Sequence, residues 1–207
     1  MTTIVPIVEG HGEVQAAPEL LRRMLIHHGA YALKVGKPIR QPRSSLLKEE
    51  SFKATVALAR SRPDCSAILV LFDADDEGPC IWGPRLLEWS KAELGNYPVY
   101  VVLAKREYEA WLIASLETMR GQRRIRHDAP PPPDAEAIRD AKGWLSEQMP
   151  KGVPYAETGD QAALTTFLDF RLAHQRSRSF RKLWKDLSKI VHDLAGSTVP
   201  LQPEQGG

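Results

Sequence analysis

Four acidic residues fall within five positions in Asp73-Ala74-Asp75-Asp76-Glu77, directly after the apolar run Ile68-Leu69-Val70-Leu71-Phe72 and directly before Gly78-Pro79. A short continuous apolar run closed by turn residues is the pattern of a strand buried on both faces of a parallel sheet. The carboxylates then stand at the carboxyl end of that strand, the edge where open α/β sheets bind ligands. Acids packed this closely repel one another unless a cation lies among them. Their oxygens suit a hard divalent ion, Mg2+ or Mn2+. An isolated Asp-x-Asp is more often a solvated loop, but two further acidic strand ends occur in the chain. Glu9-Gly10-His11-Gly12-Glu13 follows the apolar segment 4–8, and Lys105-Arg106-Glu107-Tyr108-Glu109 follows the apolar segment 98–104. On one edge of a parallel sheet these groups can converge despite their distance in sequence.

The elements that would position them alternate along the chain. Leu20, Leu21, Met24 and Leu25 give residues 14–28 a helical period, and Glu13 would stand in the first turn, where a carboxylate also suits the helix dipole. Residues 29–46, with Lys34, Lys37, Arg40 and Arg43, read as a basic loop or edge strand. Helices are predicted over 46–60, with Phe52, Val56, Leu58 and Ala59 inward, and over 81–94, carrying Leu86, Leu87 and Trp89 and with Gly95-Asn96 as the stop. Trp111 reads as core, and His27-His28 as surface. Strands alternating with helices predict an α/β fold with a mostly parallel sheet flanked by helices. The run of prolines from 130 to 133 then leads into a helical C-terminal portion. Its helices are predicted over 135–149, capped by Asp134, and over 160–173 and 177–195. The expected division is an α/β core over 1–127, a helical portion packed on it over 128–198, and a flexible tail over 199–207.

With 207 residues, 43% of them hydrophobic, the chain can bury a real core. A net charge of +2 excludes a global basic footprint, so any nucleic-acid contact must be local. Cys65 and Cys80 are too few for a disulfide framework. There is no signal-peptide pattern and no apolar run of membrane-spanning length, which makes the cytoplasm the expected location. The segment 177–189 interleaves Arg178, Arg181, Lys182 and Lys185 with Phe180, Leu183, Trp184 and Leu187. Its apolar residues form a core stripe. Its basic ones form either a solvated face or a nucleic-acid contact, which with Arg120, Arg123, Arg124 and Arg126 could line a path to the acidic edge.

The order of acids resembles the Toprim domain of topoisomerases, primases and OLD-family nucleases, with Glu9 after the first strand and Asp73 and Asp75 after a later one. More closely, the chain resembles the DUF4276 family of small bacterial Toprim-like proteins. The matching pieces are the segment from Val8 to Glu13, Asp73-x-Asp75, and the segment from Arg106 to Leu112. Further pieces are Tyr155, Asp160-Gln161, Asp169 and Ser177-Arg178-Ser179-Phe180. Ser115 departs from the pattern, since an aspartate is expected there. The resemblance implies a Toprim-like, Rossmann-like sheet and phosphoryl-transfer chemistry with one or two Mg2+ or Mn2+ ions. It implies Asp73 and Asp75 as primary ligands, Glu9 as ligand or general base, and Glu13 and Glu109 as completing a second site. Lys105 or Arg106 would steady transition-state charge. The implied activity is that of a nuclease or nicking enzyme in bacterial defence or DNA processing. Its expected partners are nucleic acid, a separate ATPase (the chain has no P-loop) and a second copy in a homodimer. The alternative is a non-catalytic Toprim-like subunit of an ATPase-containing complex. A phosphatase with Asp73 as nucleophile ranks below both, because Glu77 stands where that pattern wants Thr or Val.

Overall fold

Five apolar segments form a wholly parallel sheet in the computed structural model, which describes residues 2–76 and 78–196. The predicted tail and Glu77 lie outside the described residues. The strands are β1 (Thr2–Val8), β2 (Leu33–Val35), β3 (Ile39–Arg40), β4 (Cys65–Asp73) and β5 (Val99–Ala104). Their order is β2-β1-β4-β5, and β3 also pairs with β1, so that β2 and β3 take successive stretches of β1. From β1 the chain passes outward through α1 (Glu13–His27) to β2 and β3. It then crosses back through α2 (Arg43–Leu46) and α3 (Glu49–Arg60) to β4, on the other flank of β1. After α4 (Pro79–Leu94) it adds β5 beyond β4. The direction of strand addition thus reverses between β1 and β4, and the crevice at that reversal is where doubly wound sheets bind ligands.

Strand alternation decides the faces. Ala67, Leu69 and Leu71 of β4 pack into one core and Ile68, Val70 and Phe72 into the other. The second core holds Phe52, Val56 and Leu86 from α3 and α4. The first holds α1 and the remaining helices, α5 (Glu109–Ala114), α6 (Ala141–Glu147), α7 (Glu157–Thr165), α8 (Phe170–Arg176) and α9 (Arg178–Ala195). Leu145, Leu164 and Trp184 of the C-terminal helices share that cluster with Leu69 and Trp111. Trp111 and Trp184 are fully buried, a gain on the order of 2–3 kcal/mol each. Among the described residues no helix is long and apolar enough to cross a membrane.

Caps cut the C-terminal helices shorter than their periodicity suggests. Residues 135–149 divide into a 3-10 turn, Ala135–Ala137, and α6, because Asp134 accepts from the Glu136 amide (2.9 Å) and Asp140 starts afresh on the Gly143 amide (2.8 Å). Asp169 accepts from the Leu172 amide (2.7 Å) and so separates α7 from α8. Two predicted positions differ in burial. Leu58 is 53% exposed, and His28 is buried against Trp184 with ring centroids 4.6 Å apart.

Candidate functional site

The end of β1 turns into α1 through Gly10 and Gly12, and acidic and amide side chains press close against both. A Cβ on Gly10 would strike the Glu13 carboxylate and come within 2.9 Å of Glu157 Oε1, and one on Gly12 would meet Gln161 and Glu157. The Gly12 amide donates to Glu157 Oε1 at 3.0 Å. This close approach sets Glu13, in the first turn of α1, beneath α7. Asp73 ends β4, and its Oδ1 accepts from the Tyr108 amide at 2.8 Å. Glu109 opens α5, and its Oε1 accepts from Tyr155 Oη at 2.8 Å and Gln161 Nε2 at 3.0 Å. Three carboxylates, from α1, β4 and α5, thereby share the crevice beside the β1/β4 reversal.

They are held out of water. Burial, then the nearby Glu109 and Glu13 carboxylates, push Asp73 well above the usual carboxylate range. Burial raises Glu13 as well, and it lifts Glu109 to about 7. One cation answers them. Lys142 of α6 donates to Glu157 Oε2 at 2.9 Å. Burial works against its charge, but Glu109, Glu157 and Asp73 outweigh it and push its pKa up. Burial also tends to raise Glu157, but hydrogen bonds from Lys142 and the Gly12 amide bring it below its ordinary value. The outer rim is Glu9, half-buried and raised by burial, with Arg43 opposing and Asp75 and Glu13 adding to that rise. Oε2 of Glu9, of Glu13 and of Glu109 is buried with no hydrogen-bond partner. Among the described residues no three His, Cys, Asp or Glu side chains are arranged to hold a metal ion as they stand.

The other sequence candidates lie around this centre. Asp75 has its side chain 56% exposed and faces Arg43 Nη1 at 3.4 Å. Arg43 also donates to the carbonyls of Asp73 and, at 3.0 Å, Ala74, which ties the start of α2 to the end of β4. Arg106 pairs with Asp76, and Arg139 approaches the same carboxylate at 3.7 Å. Glu107 accepts from the Ala141 amide at 3.0 Å and so holds the start of α6. Lys105 turns instead into a cleft between α4 and α9. On α9, Arg178 and Lys185 are exposed, Arg181 caps the carbonyls of His174 and Gln175, and Lys182 pairs with Asp186. Arg123 and Arg124 are engaged by buried Asp160, Arg120 by the Ala129 carbonyl, and Arg126 by Gln148 and Asp128. The residues that the sequence left without a role are Lys142, Tyr155, Glu157 and Gln161, and Arg43, read there as part of a basic loop, instead braces the end of β4. Tyr155 and Gln161 carried a family signal, whereas Lys142 and Glu157 carried none.

The profile of a family described as a domain of unknown function, DUF4276, matches residues 8–188. The chain belongs to the DUF4276 family. No curated protein and no solved structure matches it at a significant level. The DUF4276 match runs from the end of β1 into α9, so the crevice carboxylates and the Lys142, Tyr155 and Gln161 that surround them all lie inside it.

Proposed function

We propose that this DUF4276 protein is a divalent-metal-dependent phosphodiesterase that cuts or nicks nucleic acid. The observation that carries the reading is the convergence of Glu13, Asp73 and Glu109, buried and mutually repelling, at the β1/β4 reversal. The donor set fits a hard cation in its chemistry: carboxylate oxygens of Glu9, Glu13 and Glu109 are buried without a partner, an arrangement that costs about 1–3 kcal/mol per group unless something positive meets it. Glu13, Asp73 and Glu109 would hold Mg2+ or Mn2+, with Glu9 and Asp75 toward the opening. A bound ion supplies charge screening for the phosphodiester and acidifies its water. The chain does the rest. Glu9, half-buried and made more basic by that burial, is suited to take a proton from water. Arg43 fixes the Asp73–Asp75 turn, and Lys142 balances the remaining negative charge. Resemblance to Toprim nucleases in Glu9 and Asp73/Asp75 supports the same chemistry, and with it work alongside a separate ATPase in defence or DNA processing.

The test is plasmid nicking by the purified chain with Mn2+. Asp73→Ala should lower it at least about 100-fold, and full activity in that variant ends the assignment. The second reading is a non-catalytic subunit. It is favoured by Lys142, which already offsets the cluster, and by the lack of a ready-made ligand triad among the described residues. A wild-type chain that neither binds Mn2+ in calorimetry nor nicks DNA would support it.

A further inference from the structure

Among the described residues β5 pairs with β4 alone, and at its other edge α4 and α9 flank a cleft of about 560 Å3. One wall is apolar, formed by Pro84 and Leu87 of α4 with Val101 and Leu103 of β5. Leu87 is 38% exposed there. The opposite rim is cationic and consists of Lys105, Arg178 and Lys182, the last shared with Asp186. Among the described residues Glu136 is the acidic lining residue, and its Oε1 accepts from Ser177 Oγ (2.6 Å), the Ser179 amide (2.8 Å) and Ser179 Oγ (2.7 Å) at the start of α9.

An added β-strand is a poor fit to this edge. The Lys105 amide donates to Ser179 Oγ at 3.1 Å and the Val101 carbonyl accepts from Lys182 Nζ at 3.4 Å, so α9 already occupies backbone groups that a strand would need. Recognition falls to side chains. A half-enclosed space within the usual ~300–1,000 Å3 of ligand pockets, apolar on one wall and cationic on the other, suits a flat ring carrying a phosphate.

We propose that the β5 cleft binds a nucleotide, with its base against Pro84, Leu87 and Leu103 and its phosphate at Lys105, Arg178 and Lys182. The same chemistry is offered by a free mononucleotide and by the terminal nucleotide of a strand. Lys105 directly follows Ala104, the register partner of Asp73, so a strand end held here is bound at the strand next to the one that carries Asp73. That placement rests on the phosphodiesterase reading, but nucleotide binding in the cleft does not.

The test is calorimetry in EDTA, which keeps divalent ions off the carboxylates so that any phosphate binding there is weakened. The full chain is titrated with 5′-dTMP, thymidine and inorganic phosphate. The expected result is binding of dTMP at least tenfold tighter than of either fragment, with a further loss of at least tenfold in Leu87→Glu and in Arg178→Glu. Both side chains are exposed, and unchanged melting of the variants would confirm that they fold. Phosphate binding as tightly as dTMP, dTMP binding unaffected by both variants, or no dTMP binding at all would each overturn the proposal. Short oligothymidylates with and without a 5′-phosphate then separate the sources. A phosphate-dependent gain over dTMP points to strand ends, and equal affinity to the free nucleotide. A chain that nicks plasmid with Mn2+ yet fails to bind dTMP loses only the cleft. One that binds dTMP yet never nicks loses only the nuclease reading.

Discussion

Glu109 shows how the site holds charge that it cannot hydrate. Its side chain is fully buried, one oxygen is satisfied by Tyr155 and Gln161, and the other has no partner. Burial therefore moves its pKa to about 7, and the neighbouring Glu13 adds to the shift. Gly10 matters at the same scale for the opposite reason, because the Glu13 carboxylate occupies the space that a side chain would take. Gly10→Ala should cost about 1–3 kcal/mol in urea unfolding, since the clash is with a packed group rather than with open solvent. It should also weaken Mn2+ binding measured by calorimetry at least tenfold, because Glu13 must move. Unchanged Mn2+ affinity would remove Glu13 from the ligand set.

At the scale of elements, the informative piece is α6, only seven residues long and held at its start by Asp140 and Glu107. It carries Lys142 into the carboxylate crevice, while α7 carries Glu157 and Gln161 to the turn between β1 and α1. Removing that cation leaves Glu109, Asp73 and Glu157 repelling one another. Lys142→Met is expected to lose roughly 1–2 kcal/mol at pH 8, a figure kept low because the side chain is about a third exposed. Protonation of Glu109 at pH 5.5 should restore part of the loss. An equal loss at both pH values would show that Lys142 acts through packing alone.

At the scale of the whole molecule, two buried groups on opposite sides of the titration scale shape stability against pH. Glu109 has a folded pKa of about 7 against an ordinary 4.5. Its stabilising contribution is therefore complete below pH 4.5 and lost as pH rises through 7, on the order of 3 kcal/mol in all. His28 runs the other way. Burial, and then the neighbouring His27, lower it to about 4 from 6.5, so its contribution is complete above pH 6.5 and lost as pH falls through 4. Asp73, Glu13 and Glu9 are raised by burial in the same direction as Glu109, so together they outweigh His28 between pH 4.5 and 6.5. The expected melting profile in EDTA therefore declines as pH rises from 4.5. Glu109→Gln should make that decline shallower, and His28→Gln should make it steeper. Parallel profiles for the two variants would contradict this assignment.

The sequence by itself determined the parallel α/β core, because a strand buried on both faces must be a continuous apolar run and each helix between strands must show a 3.6-residue period. It also marked Glu9, Glu13, Asp73 and Glu109, since acids at the carboxyl ends of such strands share one edge wherever the strands pair. It could not fix how long the C-terminal helices run, because a capping aspartate such as Asp140 or Asp169 ends a helix without disturbing its apolar period. Nor could it separate Asp73, Glu13 and Glu109 in the crevice from Asp75 at the rim, or bring Lys142, Tyr155 and Gln161 against them. Those partners lie some 30–150 residues away along the chain, and only the docking of α6 and α7 on the sheet makes them neighbours. Charge, hydration and contact at this site are properties of that docking.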